Sequence, residues 1–152
     1  MPNQSYRIID MTTYPRKAHF QYFCTMASPW VGVTVETDVT ELVDFCRKHH
    51  ISFYLTFMHA AALAANNVPE LRQRIRNGGI IEYKQCTTSH TESTGDGTYC
   101  YCTLRHDLPF GEYLRAAEAA RAACREKGSS KKMRMSTACS SFPPCHGSTI
   151  PN

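Results

Sequence analysis

Trp30-Val31-Gly32-Val33-Thr34-Val35-Glu36 alternates large apolar and small or polar residues, with β-branched side chains at every second place. That pattern predicts a half-buried strand. Asp38 then stands three residues before Glu41, a capping-box spacing that predicts a helix start. After it Val39, Leu42, Val43, Cys46 and His50 fall on one helical face. Residues 53–66 are apolar nearly all round, which predicts a helix buried on both sides, and Pro69 lies just beyond its end. Strand, amphipathic helix, buried helix: this order sets the fold class as α/β.

The rest of the chain extends the pattern. Gly78-Gly79 reads as a turn into a strand at Ile80-Ile81-Glu82-Tyr83, and Asp96-Gly97 as a second turn. Thr98 to Thr103 alternates as a strand that puts Cys100 and Cys102 on one face. Phe110, Tyr113, Leu114, Ala117, Arg121 and Cys124 space a last helix. The expected architecture is a two-layer sandwich, a mixed β-sheet covered by helices. Residues 1–126 form its body. Residues 127–152 are a different kind of sequence, without helical or strand periodicity.

Composition bounds the function classes. The chain has 152 residues, 42% hydrophobic and 20% charged, which suits one core rather than a disordered polymer. It has no apolar run long enough for a membrane span and no signal-peptide pattern at the N-terminus, so a cytoplasmic location is expected. A net charge of +4 is too small to imply nucleic acid. The basic residues Arg125, Lys127, Lys131, Lys132 and Arg134 read as a solvated segment. The eight cysteines contain no Cys-x-x-Cys pair, which argues against structural zinc and for reduced thiols. No phosphate loop, zinc-protease motif or nucleophile elbow occurs. His49-His50 reads as the cationic end of a helix. His19, His59, His90 and His106 have no partner at a catalytic spacing.

A resemblance carries the reading further. Tyr14-Pro-Arg-Lys-Ala-His-Phe20 is similar to the Trp-x-Arg-x-x-x-Phe pattern near the start of the chloramphenicol acetyltransferases. The strand into Asp38-Val-Thr, the segment Ser52-Phe-Tyr-Leu-Thr-Phe57, the run Ala65-Asn66-Asn67-Val-Pro-Glu-Leu-Arg72-Gln-Arg-Ile75 and the turn into Tyr99 follow that family in order. The resemblance implies a homotrimer that moves acetyl from acetyl-CoA to a drug hydroxyl, with the active site between subunits. It implies a histidine general base in a late His-His-x-x-x-Asp-Gly motif and a serine that steadies the oxyanion, just before Leu-Pro-Trp. Arg16 matches the arginine that pairs with the motif's aspartate, a role suited to a planar guanidinium. Tyr22, Phe23, Pro29, Val31 and Tyr99 fall where that family lines its drug pocket; ordinary core packing is the alternative for all five.

The departures from the family are as informative. His49-His50 is the lone His-His pair, and the places of Asp and Gly after it hold Tyr54 and Leu55. The general base is thus missing, a loss of about 10²–10⁴-fold by itself. The expectation is a C-terminally truncated relative with no catalytic residue of its own, dependent on acetyl-CoA in its complete form and needing no metal. The alternative is a non-catalytic subunit that joins a full-length acetyltransferase trimer. The tail supplies a reason. Cys145-His146-Gly147 is encoded TGY-CAY-GGN. Read one base earlier, the triplets NTG-YCA-YGG permit Leu-Pro-Trp, the oxyanion-serine segment of the family. A slip of reading frame near residues 126–132 is expected, against a natural divergent C-terminus, and Ser136 is not assigned the oxyanion role. The encoding DNA around residues 143–149 decides between them.

Overall fold

The structure is a computed structural model and describes residues 5–94 and 97–128, the side chains as far as 126. The Asp96 half of the expected turn, and all but the first two residues of the 127–152 tail, lie outside the described residues. The elements in order are β1 (Tyr6–Ile8), α1 (Lys17–Cys24), α2 (Thr40–Lys48), α3 (Phe53–Asn67), a 3-10 turn (Pro69–Arg72), β2 (Gln73–Arg76), β3 (Gly79–Tyr83), β4 (Thr88–Ser93), β5 (Tyr99–Leu104) and α4 (Phe110–Gly128). Helices and strands share the chain, as the α/β class requires. The described strands pair antiparallel and form two sheets. No helix among the described residues is long and apolar enough to cross a membrane.

The chain divides into two compact units. The first comprises residues 1–57 and 68–85. Its sheet has the order β1-β3-β2. The β2–β3 hairpin turns at Asn77-Gly78, both left-handed with φ of 50° and 73°, as a two-residue hairpin demands. The turn therefore lies one residue earlier than expected, and Gly79 opens β3. Glu82 sits on the central strand, opposite Arg7 on one side and Gln73 on the other. That register explains its partners. The buried carboxylate accepts from Arg7 at 2.9 Å and from Gln73 at 3.5 Å, and Arg72 approaches to 3.5 Å. These donors, Arg7 foremost, hold the Glu82 carboxyl below its ordinary value against the opposing effect of burial.

Two expectations fail in this unit. Residues 30–36 form no strand. Val31, Val33 and Val35 are 92%, 83% and 75% exposed, so neither face is covered. Propensity describes fitness for a pleated surface, and here no neighbouring strand supplies the ladder. The helix at 53–66 exists, but it is not buried all round. Leu55 is fully buried, whereas Phe53 and Phe57 are exposed and stack on each other at 6.0 Å. An apolar surface with nothing over it keeps its composition but not its burial. A helix does start after Asp38, but not through the expected capping box: Val39 is the N-cap, without a side-chain cap bond. The Asp38 carboxylate accepts from Thr40 N at 2.9 Å and from Thr40 Oγ1 at 2.6 Å, and these bonds lower its pKa. Leu42, Val43 and Cys46 turn inward, but His50 is exposed in a left-handed conformation with φ of 53°.

The second unit comprises residues 58–67 and 86–152, described as far as 128. The β4–β5 ribbon pairs His90 with Cys102 and Glu92 with Cys100. Its inner face carries Glu92, Cys102 and Leu104, and against it α4 sets the buried Tyr113 and Ala117, then Arg121 and Cys124. The predicted helical spacing is thus the observed packing face. Asn66, near the end of α3, clasps the chain ahead of β4. Its side-chain amide donates to Cys86 O at 3.0 Å, and its oxygen accepts from Cys86 N at 2.8 Å. Cys100 and Cys124 form a disulfide, with Cα atoms 6.2 Å apart. This corrects the expectation of reduced thiols throughout. A strand residue and a helix residue far apart in sequence meet only once the helix packs, so spacing along the chain cannot reveal them.

Candidate functional site

The site predicted from sequence begins at α1. Its first turn follows Arg16, whose backbone carbonyl accepts from Phe20 N at 2.9 Å. The Arg16 guanidinium pairs with Glu70 in the 3-10 turn, tying the start of α1 to the segment ahead of β2. The Glu70 carboxyl is held low by its own backbone amide and by this arginine. Arg16 thus braces a carboxylate, and the carboxylate among the described residues is Glu70.

Beyond Arg16, α1 buries no residue. Tyr22 and Phe23 are 62% and 48% exposed, with rings in edge contact at 5.7 Å. Pro29 and Val31 follow outside any helix or strand and are exposed, and Trp30 is exposed as well. None of these four candidate pocket residues packs in the core of the described unit. Tyr99 belongs to the second unit, where it is exposed and meets Tyr101 edge-on at 5.8 Å. The first unit therefore exposes Tyr22, Phe23, Trp30, Val31, Val33 and Val35, on the stretch of chain that follows the Arg16–Glu70 ion pair. Such a surface suits a flat aromatic ligand or a covering chain.

The histidines show what chemistry the described residues hold. His19, His49 and His50 are exposed. His59 is buried between the rings of Tyr113 at 4.4 Å and Phe110 at 5.5 Å. His106 is buried too, and its pKa is lowered by that burial, with Asp107 acting in the opposite sense. His90 is the residue the sequence reading undervalued. Its Nε2 lies 3.0 Å from Glu92 Oε1, the geometry of a histidine oriented by a carboxylate. Two residues apart on a strand means one face, which was the available signal. Yet the His90 side chain is only 8% exposed, in the layer between ribbon and helix. Glu92 is also claimed by Arg121, through Nε and through Nη2 at 3.3 Å, and by Arg125 at 3.1 Å. Burial raises the Glu92 pKa, and the bonds from Arg121, His90 and Arg125 overcome it and bring it to about 2. This cluster holds α4 on the ribbon. Among the described residues no three of His, Cys, Asp and Glu converge as a metal site would require.

A family model described as chloramphenicol acetyltransferase matches residues 4–124. The chain belongs to the chloramphenicol acetyltransferase family. Chloramphenicol acetyltransferases of Klebsiella sp. and of Escherichia coli are each 29% identical to it over 92 residues, covering 59% of this chain and 42% of theirs. One from Proteus mirabilis is 28% identical over 74 residues, covering 49% of this chain and 34% of its own. A solved chloramphenicol acetyltransferase superposes with a TM-score of 0.66 at 23% identity, over 80% of this chain and 60% of that one. That likeness shows the fold. The matches span less than half the length of the curated relatives and 60% of the solved one.

Proposed function

We propose that this chain carries part of a chloramphenicol O-acetyltransferase-like enzyme, and that alone it does not acetylate. Tyr22, Phe23, Pro29 and Val31 are the acceptor-pocket walls in this reading, and Tyr99 takes the same role from the family resemblance. Arg16 is a positioning residue. What supports the reading most is the exposed apolar run beginning at Tyr22 and Phe23, on a chain matched to the family from residue 4 to residue 124. Aromatic and apolar side chains kept out of the core suit a nitrophenyl-type acceptor such as chloramphenicol. Acetyl-CoA is the proposed co-substrate, supplying the acyl group as a thioester, and no metal takes part.

Acetyl transfer to a hydroxyl needs a base within hydrogen-bond reach of that hydroxyl. The buried histidines of the second unit are committed to packing. The exposed ones, His19, His49 and His50, lack the Asp-Gly that the family's base motif carries. The chain is read as part of a family member that would act in the cytoplasm, in a homotrimer when complete. The second reading, a non-catalytic subunit of a trimer with a full-length homologue, draws on the same exposed apolar groups, which a partner chain would cover.

The test is thiol release from acetyl-CoA in the presence of chloramphenicol, for this chain and for a version with the alternative frame restored after residue 126. Release is expected after restoration and at background before it. Robust turnover by the unrestored chain would overturn the proposal. Co-expression with a complete homologue separates the second reading, since mixed trimers on a sizing column support it.

A further inference from the structure

We propose that Cys100 and Cys124 form a redox modification site that exchanges with low-molecular-weight disulfides of the glutathione type. The two cysteines lie on β5 and on the last turns of α4, 24 residues apart in sequence, with a Cα separation of 6.2 Å that a disulfide accommodates without backbone movement. Both are half-buried, within reach of a small reagent. The neighbouring thiols differ. Cys102 shares the strand face but is buried, which raises its pKa, an effect the Glu92 carboxylate reinforces. Cys46 is buried in the first unit. Cys24 is exposed and Cys86 half-buried, so access alone does not select the pair; what selects it is the second thiol, close enough for Cys100 or Cys124 to displace a group captured on the other.

The reduced state is also provided for. Cys124 Sγ lies 3.3 Å from the Tyr101 carbonyl oxygen, an acceptor for the thiol hydrogen once the bond opens. The device it controls is the seating of α4. The β4–β5 ribbon has only two strands and depends on that helix for a packed face. The Glu92 cluster and the disulfide clamp the same stretch, through Arg121, Cys124 and Arg125. This rests on the cytoplasmic location proposed above, where disulfides are mostly transient and redox-sensing, which favours exchange over a permanent staple.

The chemistry balances without a metal. One protein thiolate attacks a sulfur of RS–SR; a mixed disulfide forms and RS⁻ leaves. The second protein thiolate attacks the protein sulfur of that mixed disulfide. The Cys100–Cys124 bond forms, the sulfur–sulfur bond to the RS group breaks, and a second RS⁻ leaves. Two protein thiols are oxidised by two electrons, and the small disulfide is reduced to two thiols, which take the protons. Excess RSH reverses the sequence.

The full chain is equilibrated with defined ratios of oxidised and reduced glutathione, quenched in acid, alkylated and digested for mass spectrometry. A Cys100–Cys124 linked peptide is expected to rise with the oxidised fraction and fall in excess reduced glutathione. C102S should leave that linkage unchanged. C100S and C124S should each gain one glutathionyl group, on Cys124 and on Cys100 respectively. The oxidised chain should melt several degrees higher than the reduced one. Three results overturn the proposal: no such peptide at any ratio, linkage spread indifferently over other cysteine pairs, or a bond that persists in excess reduced glutathione. The linkage measurement uses the unsubstituted chain, so it stands even where a variant fails to fold.

Discussion

Glu92 is the residue on which the second unit turns. A carboxylate 5% exposed is costly to bury unless its charge is met, and here three donors meet it. Its pKa is about 2 in the folded chain against an ordinary 4.5, so its contribution is fully present above the ordinary value and is lost as pH falls through the folded one. His106 adds an earlier stage. Burial lowers its pKa from 6.5, so protonation begins to favour the unfolded chain below that value. Melting followed from pH 7 to pH 3 should therefore fall in two steps, and Glu92→Gln should flatten the second. At neutral pH that substitution should cost roughly 2–3 kcal/mol by denaturant titration. Arg16 behaves differently. Its partner Glu70 is exposed, and solvent screens such a pair, so Arg16→Ala should leave the melting temperature nearly unchanged in calorimetry. Little of this was legible beforehand. His90 and Glu92 look like surface residues of a polar strand until α4 lands on them with two arginines. Arg16 was legible through its family pattern, yet its observed partner, 54 residues away, was not.

At the scale of elements, what the sequence encodes locally survives and what depends on a neighbour does not. The inward face of α4 can be read from spacing, because Tyr113, Ala117, Arg121 and Cys124 recur at helical intervals whatever they meet. So can most of the inward face of α2. The strands β1, β2 and β4 went unread: each is short or polar, and each is defined by its ladder rather than by alternation. Residues 30–36 show the converse, strong alternation without a ladder. The β2–β3 hairpin gives a prediction at this scale. Gly78 has φ of 73°, and a Cβ built there meets open space, so the penalty of a side chain is conformational alone. Gly78→Ala should destabilise the first unit by about 1 kcal/mol through the left-handed backbone, read from the urea midpoint. Asn77→Gly, at φ of 50°, should be tolerated, since the position already demands the region that glycine favours.

For the whole molecule the governing fact is how much apolar surface finds no cover. Trp30, Val31, Val33 and Val35 are each more than two-thirds exposed, in a segment outside the helices and strands. A β-branched, uncharged run of this kind is a template for another strand. In a chain that matches less than half the length of its curated relatives, such a surface meets whatever is nearest, and at high concentration that is a second copy. Self-association should therefore rise steeply with concentration. It should also weaken when a charge interrupts the alternation, because a lysine directed at an approaching strand must be desolvated or repel its counterpart. Val33 is the position to change. It is 83% exposed, so replacing it removes no core contact, and it is the middle of the three alternating valines. Val33→Lys should shift the sedimentation profile toward monomer while leaving the melting temperature within about 1 °C, as an exposed substitution does. The Glu36→Lys change, outside the valine run on the same segment, should move the profile far less. If both variants associate as strongly as the parent chain, the contact lies elsewhere, and the stacked Phe53 and Phe57 on α3 become the surface to interrupt next.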